Sequence, residues 1–321
     1  MIVTLTANPS HDRTVNLAGP LERGAVQRAE SVISQAGGKG VNISRACVAA
    51  GQPTIAVLPA AKDDPYVLEL LAAGIDCRPV EHAGDLRVNI TITEPDGTTT
   101  KLNSPGPMAT PRLLQELEDA LVRRADTAHW TVLAGSLPPG TPPEWYAELV
   151  TALRAAGARV AVDTSDEPLK ALVEALSAHG SGAPHLMKPN AEELASFTGH
   201  HADELEADPI AAAEAARDLV QRGVESVLVT LGPRGAVLVT AAGAWHAAPP
   251  SVTVVSTVGA GDSSLFGYLL GDVEGRDPDQ RLALAVAYGS AAAGLPGTTI
   301  PHPRQVHPEH VNVTHLGAPV S

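Results

Sequence analysis

The sequence predicts an α/β protein: a doubly wound, mainly parallel sheet with helices on both faces and a small β lid. Two observations carry the sheet. At least six strand-like apolar runs alternate with helical segments, the pattern of parallel strands joined by crossover helices. No internal repeat, linker or low-complexity stretch interrupts the alternation, so residues 1–321 read as one domain. A third observation carries the lid. Two extended segments, about 13–36 and 86–104, show no helical period and stand outside the alternation. They would cover the carboxyl edge of the sheet, where ligands bind in such folds.

Composition sets the outer bounds. Hydrophobic residues make up 44% of the chain and aromatics only 3%, so the core is built from Ala, Val and Leu. The formal net charge of −14 argues against nucleic acid or an anionic membrane as partner. No apolar run reaches the ~18 residues of a membrane span. The opening MIVTLTANPS lacks a basic region before its apolar run and reads as a first strand, not a signal peptide. Cys47 and Cys77 are the only cysteines and read as free thiols of a cytoplasmic protein. If the substrates are phosphates, positive charge must be concentrated locally, and there are only five lysines to do it.

In chain order, Ile2–Thr6 is the first strand, and Asn8, Pro9 and Asp12 follow where it ends. Asp12 is either a turn residue or a group at the ligand edge. In QAGGKGVNISRACVAA, Gly37, Gly38 and Gly40 surround Lys39 before a helix led by Val41 and Ile43. A glycine turn carrying a cation at a helix start suits an anion or polyol, and Asn42 on the first turn can bond a hydroxyl. Thr54–Leu58 is a strand, and Asp64–Ala73 a helix stopped by Gly74. In Arg87–Asn103, Val88, Ile90 and Ile92 alternate with polar residues before the turn Glu94-Pro95-Asp96-Gly97, which marks a half-exposed hairpin. Arg87 at its foot is a surface charge or a phosphate clamp.

Helices are expected over Pro111–Arg124, Glu144–Ala156, Glu167–Ala178, Ile210–Arg222 and Arg281–Leu295, and strands over Thr131–Ala134, Arg159–Asp163, His185–Met187, Ser226–Thr230 and Ala236–Thr240. Lys188-Pro189-Asn190 precedes a helix in which Glu193 is either the partner of Asn190 in a capping box or a water-mediated contact to Mg²⁺. The stretch VTVVSTVGAGDSSLFGYLL, Val252–Leu270, is the focus of the chain. VTVV reads as a buried strand after Pro249-Pro250, STVGAG as a turn, and the residues from Asp262 as a helix. The free N–H groups of such a turn meet the positive end of the helix dipole and hold an anion. Asp262 either caps this helix or takes a proton from an alcohol beside the anion. A dinucleotide fingerprint would need glycine at Ser264, and a Walker loop would need lysine at Asp262. The tail carries His302, His307, His310 and His315 at irregular, proline-broken spacing and reads as solvated rather than as a zinc site.

Taken together, TLTANPSHD, AGGKGVNISRA, AGSLPPG, KPNAEEL, TLGPRGAVLV and PPSVTVVSTVGAGDSS resemble the ribokinase-like (PfkB-type) carbohydrate kinases over nearly the whole chain. Within that family they are closest to the 1-phosphofructokinases and tagatose-6-phosphate kinases. The resemblance implies a ribokinase-like fold and ATP-dependent phosphorylation of a ketohexose phosphate, with fructose 1-phosphate first. Fructose 6-phosphate and tagatose 6-phosphate are the alternatives.

It implies Asp262 as catalytic base, with Gly259, Ala260 and Gly261 as the anion hole. An ordinary carboxylate pKa of about 4 suits a base that accepts its proton late. Asp12, Gly38, Lys39, Asn42, Arg87 and Ser136 fall on substrate positions. Lys188, Asn190, Thr230, Gly232 and Gly235 fall on the nucleotide side, with Glu193 near Mg²⁺. It also implies a lid that can serve as a homodimer contact. A non-catalytic sugar-phosphate sensor on the same fold could lose the acid or the glycines, and this chain keeps them. A nicotinamide dehydrogenase is disfavoured by the missing fingerprint.

Overall fold

A computed structural model describes residues 1–82, 84–176 and 182–317. The chain begins with β1 (Ile2–Thr6), β2 (Ser10–Leu17), β3 (Ala29–Gly37) and α1 (Lys39–Ala49). Then come β4 (Thr54–Pro59), α2 (Pro65–Ala72), β5 (Asp76–Val80), β6 (Arg87–Thr93) and β7 (Thr99–Asn103). The middle holds α3 (Pro111–Val122), β8 (Trp130–Ala134), α4 (Trp145–Ala155), β9 (Val160–Asp163) and α5 (Asp166–Leu176). It continues through β10 (Leu186–Met187), α6 (Ala191–Thr198), α7 (Ala202–Ala207), α8 (Pro209–Gln221) and β11 (Ser226–Thr230). The last part is β12 (Ala236–Thr240), β13 (Gly243–Ala248), α9 (Ala260–Val273), α10 (Pro278–Ala293) and β14 (Asn312–Gly317). Of the helix expected over Glu167–Ala178, the last two positions, 177 and 178, lie outside the described residues.

The main sheet has ten strands in the order β14-β13-β12-β11-β10-β9-β8-β1-β4-β5. It is parallel from β11 to β5 and antiparallel through β12, β13 and β14. Its central strands β1, β8 and β9 are buried throughout and mainly apolar, because helices cover both faces. Val3 and Leu5 of β1 and Leu133 of β8 pack with Leu117 of α3, Leu149 of α4, Leu172 of α5 and Leu219 of α8. The alternate residues Ile2, Val132 and Ala134 pack with Ile43 of α1, Phe266 of α9 and Tyr288 of α10. No helix among the described residues is long and apolar enough to cross a membrane.

A second sheet, β3-β2-β6-β7, forms the expected lid. Every residue of β6 is half-buried, as the alternation of Val and Ile with Asn and Thr requires of a strand with one wet face.

Two expectations need correction. Val252–Val255 is not a buried strand: Val252, Val254 and Val255 are 42%, 60% and 59% exposed, in a loop before α9. Pro249-Pro250 removes two ladder donors, and the place beside β13 is filled by β14. The tail is therefore not wholly solvated either. His302, His307 and His310 are exposed, but His315 lies in β14, with its ring 5.5 Å from that of Trp245 in β13. The strands β5, β13 and β14 were not expected. β5 carries Asp76, Arg78 and Pro79, residue types that β-strands avoid except at a sheet edge, where it lies.

Candidate active site

A cavity of about 1060 Å³ lies at the carboxyl ends of β1, β8 and β11, between the second sheet and the starts of α1, α6 and α9. Every residue singled out from the sequence lines it: Asp12, Gly38, Lys39, Asn42, Arg87 and Ser136 from the sugar-side motifs, Lys188, Asn190, Glu193, Thr230, Gly232 and Gly235 from the nucleotide-side motifs, and Gly259–Asp262.

The start of α9 resolves what Asp262 does locally. Gly259 holds the N-cap position with φ 80°, a conformation in which a side chain is strained, and no side chain caps the helix. Asp262 stands in the first turn instead, only 6% exposed. Its Oδ2 accepts a hydrogen bond from Asn42 Nδ2 at 2.8 Å. Burial pushes its carboxyl up to about 6; the Asp163 carboxylate adds to the rise, while Lys39, Asn42 and Lys188 oppose it. That is well above the ordinary value expected from the sequence. The far end of α9 is pinned, because Asp272 accepts from Trp130 Nε1 at 2.9 Å and pairs with Arg281 at 2.6 Å.

The turn before α1 packs directly on β1. Gly38 has φ 131°, and a Cβ there would lie 2.5 Å from Thr6 Cγ2. Lys39 therefore enters the cavity at its floor, where Nζ bonds Asp163 Oδ1 at 2.7 Å. Lys188, 4% exposed at the end of β10, meets the other oxygen of Asp163 at 3.2 Å. Burial pulls the Lys39 ammonium down, but Asp163, Asp262 and Glu193 outweigh it and the net displacement is upward.

The second sheet contributes the opposite wall. Asp12 Oδ1 accepts from Ser10 Oγ at 2.7 Å and from Asn89 Nδ2 at 3.1 Å. Arg87 donates to Asn8 O at 3.1 Å, Ser104 O at 3.3 Å and Ser136 Oγ at 3.4 Å. It is thus no free surface charge but a half-buried cation at the junction of the two sheets. The buried oxygens Asn8 Oδ1, Asn42 Oδ1 and Asn89 Oδ1, all on cavity residues, have no protein hydrogen-bond partner. Buried polar atoms are normally bonded, so these suit the hydroxyls of a polyol.

At the nucleotide end, Asn190 and Glu193 form the capping box: Asn190 Oδ1 accepts from Glu193 N at 2.7 Å, and Glu193 Oε2 from Asn190 N at 2.9 Å. One carboxylate oxygen is thus committed to the cap. Burial raises the Glu193 carboxyl. With one oxygen held by the cap, Glu193 fits a contact through water to Mg²⁺ that keeps most of its waters. Thr230, Gly232 and Gly235 border this end together with Pro249, Val252 and Val258. Away from the cavity, ligand atoms of the exposed His307, Glu309 and His310 lie within 4.8 Å of one another.

Sequence reading placed Asn8 at the ligand edge but missed Asp163 and Asn89. The one local signal for Asp163 is an acid closing the otherwise apolar strand VAVD. The three cavity cations, Lys39, Arg87 and Lys188, supply the local positive charge that a molecule of net charge −14 otherwise lacks. The arrangement places a buried carboxylate at a helix start, in one cavity with three cations. That is the equipment for moving a phosphoryl group onto an alcohol.

Comparison with known proteins places the chain among carbohydrate kinases. Residues 6–305 match the sequence pattern of the pfkB family carbohydrate kinases. The chain is 38% identical over 290 residues to a 1-phosphofructokinase of Xanthomonas campestris pv. campestris, covering 88% of each chain. It is 37% identical over 309 residues to a 1-phosphofructokinase of Rhodobacter capsulatus, covering 95% of this chain and 94% of the relative. Among solved structures, phosphofructokinase-2 from Escherichia coli in complex with substrates and products superposes with a TM-score of 0.85 at 30% identity, over 95% of this chain and 96% of that one.

Proposed function

The chain belongs to the pfkB family of carbohydrate kinases, and from that membership we propose that it transfers the γ-phosphoryl group of ATP to O6 of fructose 1-phosphate. The products are fructose 1,6-bisphosphate and ADP. The observation that carries the reading is the shared cavity, in which Asp262, the Gly259–Gly261 turn and the three cations meet.

The chemistry follows from these residues. The 6-hydroxyl oxygen attacks the γ-phosphorus, the bond from that phosphorus to the β,γ-bridging oxygen breaks, and ADP leaves with the electron pair. Asp262 accepts the hydroxyl proton as the new bond forms. The transition state is loose, so positioning and charge stabilisation do most of the catalysis. The N–H groups of the turn and the dipole of α9 face the charge on the transferring group. Lys39 and Arg87 hold the phosphate already on the sugar, Arg87 with its planar fork. Gly38, Asn42, Asp12 and Ser136 line the hydroxyl-bearing part of the substrate. Lys188 and Asn190 lie against the nucleotide phosphates, and Thr230, Gly232 and Gly235 border the rest of the nucleotide. Glu193 would hold Mg²⁺ through water, and the ion would supply further charge neutralisation there.

We also read residues 1–321 as one kinase domain, and the exposed Val32, Ile33 and Leu102 of the second sheet, at 59%, 56% and 55%, as a contact between two copies. Fructose 6-phosphate is the second reading, favoured by the likeness to phosphofructokinase-2. A coupled ADP-release assay across fructose 1-phosphate, fructose 6-phosphate, tagatose 6-phosphate and free hexoses decides between them. Fructose 1-phosphate should give the highest kcat/KM. A higher value with another sugar phosphate would reassign the substrate, and tight binding without ADP release would make the protein a sensor.

A further inference from the structure

Asp163 closes β9 at the floor of the cavity with its side chain wholly buried. Two ammonium groups converge on it from different elements. Lys39 comes from the start of α1, 124 positions away in sequence, at 2.7 Å, and Lys188 comes from the end of β10 at 3.2 Å. A Cβ on Gly261 would lie 3.5 Å from Lys188 Nζ, so that ammonium sits against the turn immediately before Asp262. Yet among the described residues no lysine or arginine nitrogen comes within ion-pair distance of Asp262, whose side chain is bonded by Asn42.

We propose that Asp163 is a positioning residue: its carboxylate holds Lys39 and Lys188 together on the cavity floor and so leaves Asp262 without a cation partner, free to take a proton. A lysine paired directly with Asp262 would favour its ionised form strongly and occupy the oxygen that must accept. Asp163 prevents this by binding both ammoniums itself. Burial works against its own charge, but Lys188 and Lys39 outweigh burial and keep its carboxyl below the ordinary range. The groups that set the proton affinity of Asp262 are Asp163 of β9, Lys39 and Asn42 of α1, and Lys188 just after β10. Glu193 of α6 acts on the same two lysines and on Asp163, and Tyr146 of α4 faces Asp163.

This inference rests on the reading of Asp262 as the base, and the experiment separates the two. Carboxyl ¹³C NMR follows the Asp262 resonance, identified by its loss in Asp262→Asn, through a pH titration of the wild type and of Asp163→Asn. Removing the neighbouring negative charge and releasing a lysine should move the Asp262 midpoint down by about one pH unit or more. Loss of the Asp163 charge contributes to that fall by itself, so the released lysine is read separately: in a crystal structure of Asp163→Asn, Lys39 or Lys188 Nζ should lie within ion-pair distance of an Asp262 oxygen. An unmoved or raised midpoint, or both ammoniums still away from Asp262, overturns the inference. If Asp163→Asn does not fold, Asp163→Asn/Lys188→Met removes one cation with its counter-ion, and a smaller downward shift is expected there, because the loss of Lys188 itself works upward on Asp262. Turnover is not needed for this readout. The ADP-release assay on the wild type tests the kinase reading alone, so an inactive wild type with a shifted midpoint and an active wild type with an unmoved midpoint are distinct results.

Discussion

The residue on which most turns is Asp262. With its carboxyl near 6, it is protonated and unable to accept below that pH, so kcat/KM for fructose 1-phosphate should fall as pH drops through about 6. Asn42 donates to the ionised form, and Asn42→Ala should move that acid limb to higher pH in a pH–rate profile. Asp262→Asn should lower kcat by roughly 10²–10⁴-fold with an unchanged circular dichroism spectrum. Lys39→Ala and Arg87→Ala should each raise KM for the sugar phosphate by about tenfold or more, as expected when a charge-assisted contact worth about 1.5–3 kcal/mol is lost, and leave KM for ATP little changed. Equal losses for both substrates, in initial-rate kinetics, would count against placing these two cations on the sugar phosphate. What the sequence made legible here was local. Gly-Ala-Gly-Asp before a helix, and Gly-Gly-Lys-Gly before another, declare their backbone geometry within a few residues. Asp163 declared no more than an acid at the end of VAVD, because its meaning depends on Lys39 and Lys188, which only the folded sheet brings to it.

At the level of elements, alternation identified most strands and helices, because parallel strands buried on both faces are mainly apolar. It failed where a strand is an edge or an apolar run is not a strand. Val252–Val255 has the composition of a core strand, but two prolines precede it and the tail strand β14 takes the adjacent place. A β14 with three exposed residues, including His315, carries too little periodicity to be read in advance. The turn between β3 and α1 gives an element-scale test. Gly38→Ala introduces a side chain at φ 131° and within 2.5 Å of Thr6 Cγ2. The backbone strain alone should cost about 1–3 kcal/mol in denaturant unfolding, and the displaced start of α1 should raise KM for the sugar phosphate as well.

Across the whole molecule, the second sheet serves two ends. Its inner surface supplies Asp12, Arg87 and Asn89 to the cavity, while Val32 and Ile33 remain exposed. A pair of copies joined there would cover those side chains. Wild-type protein should then sediment as a dimer, and Val32→Asp/Ile33→Asp should sediment as a monomer with a higher KM for the sugar phosphate. A wild type that is monomeric at micromolar concentration would remove that contact.

Arg87 also bears on how fast the enzyme lets go. Its guanidinium is fastened by three neutral oxygens, from Asn8, Ser104 and Ser136. An anion docking there meets a fork whose rotamer was fixed during folding, so little side-chain freedom is lost at encounter. Removing one of those tethers with Ser136→Ala should therefore show itself as quicker escape of the sugar phosphate, with its rate of arrival hardly altered.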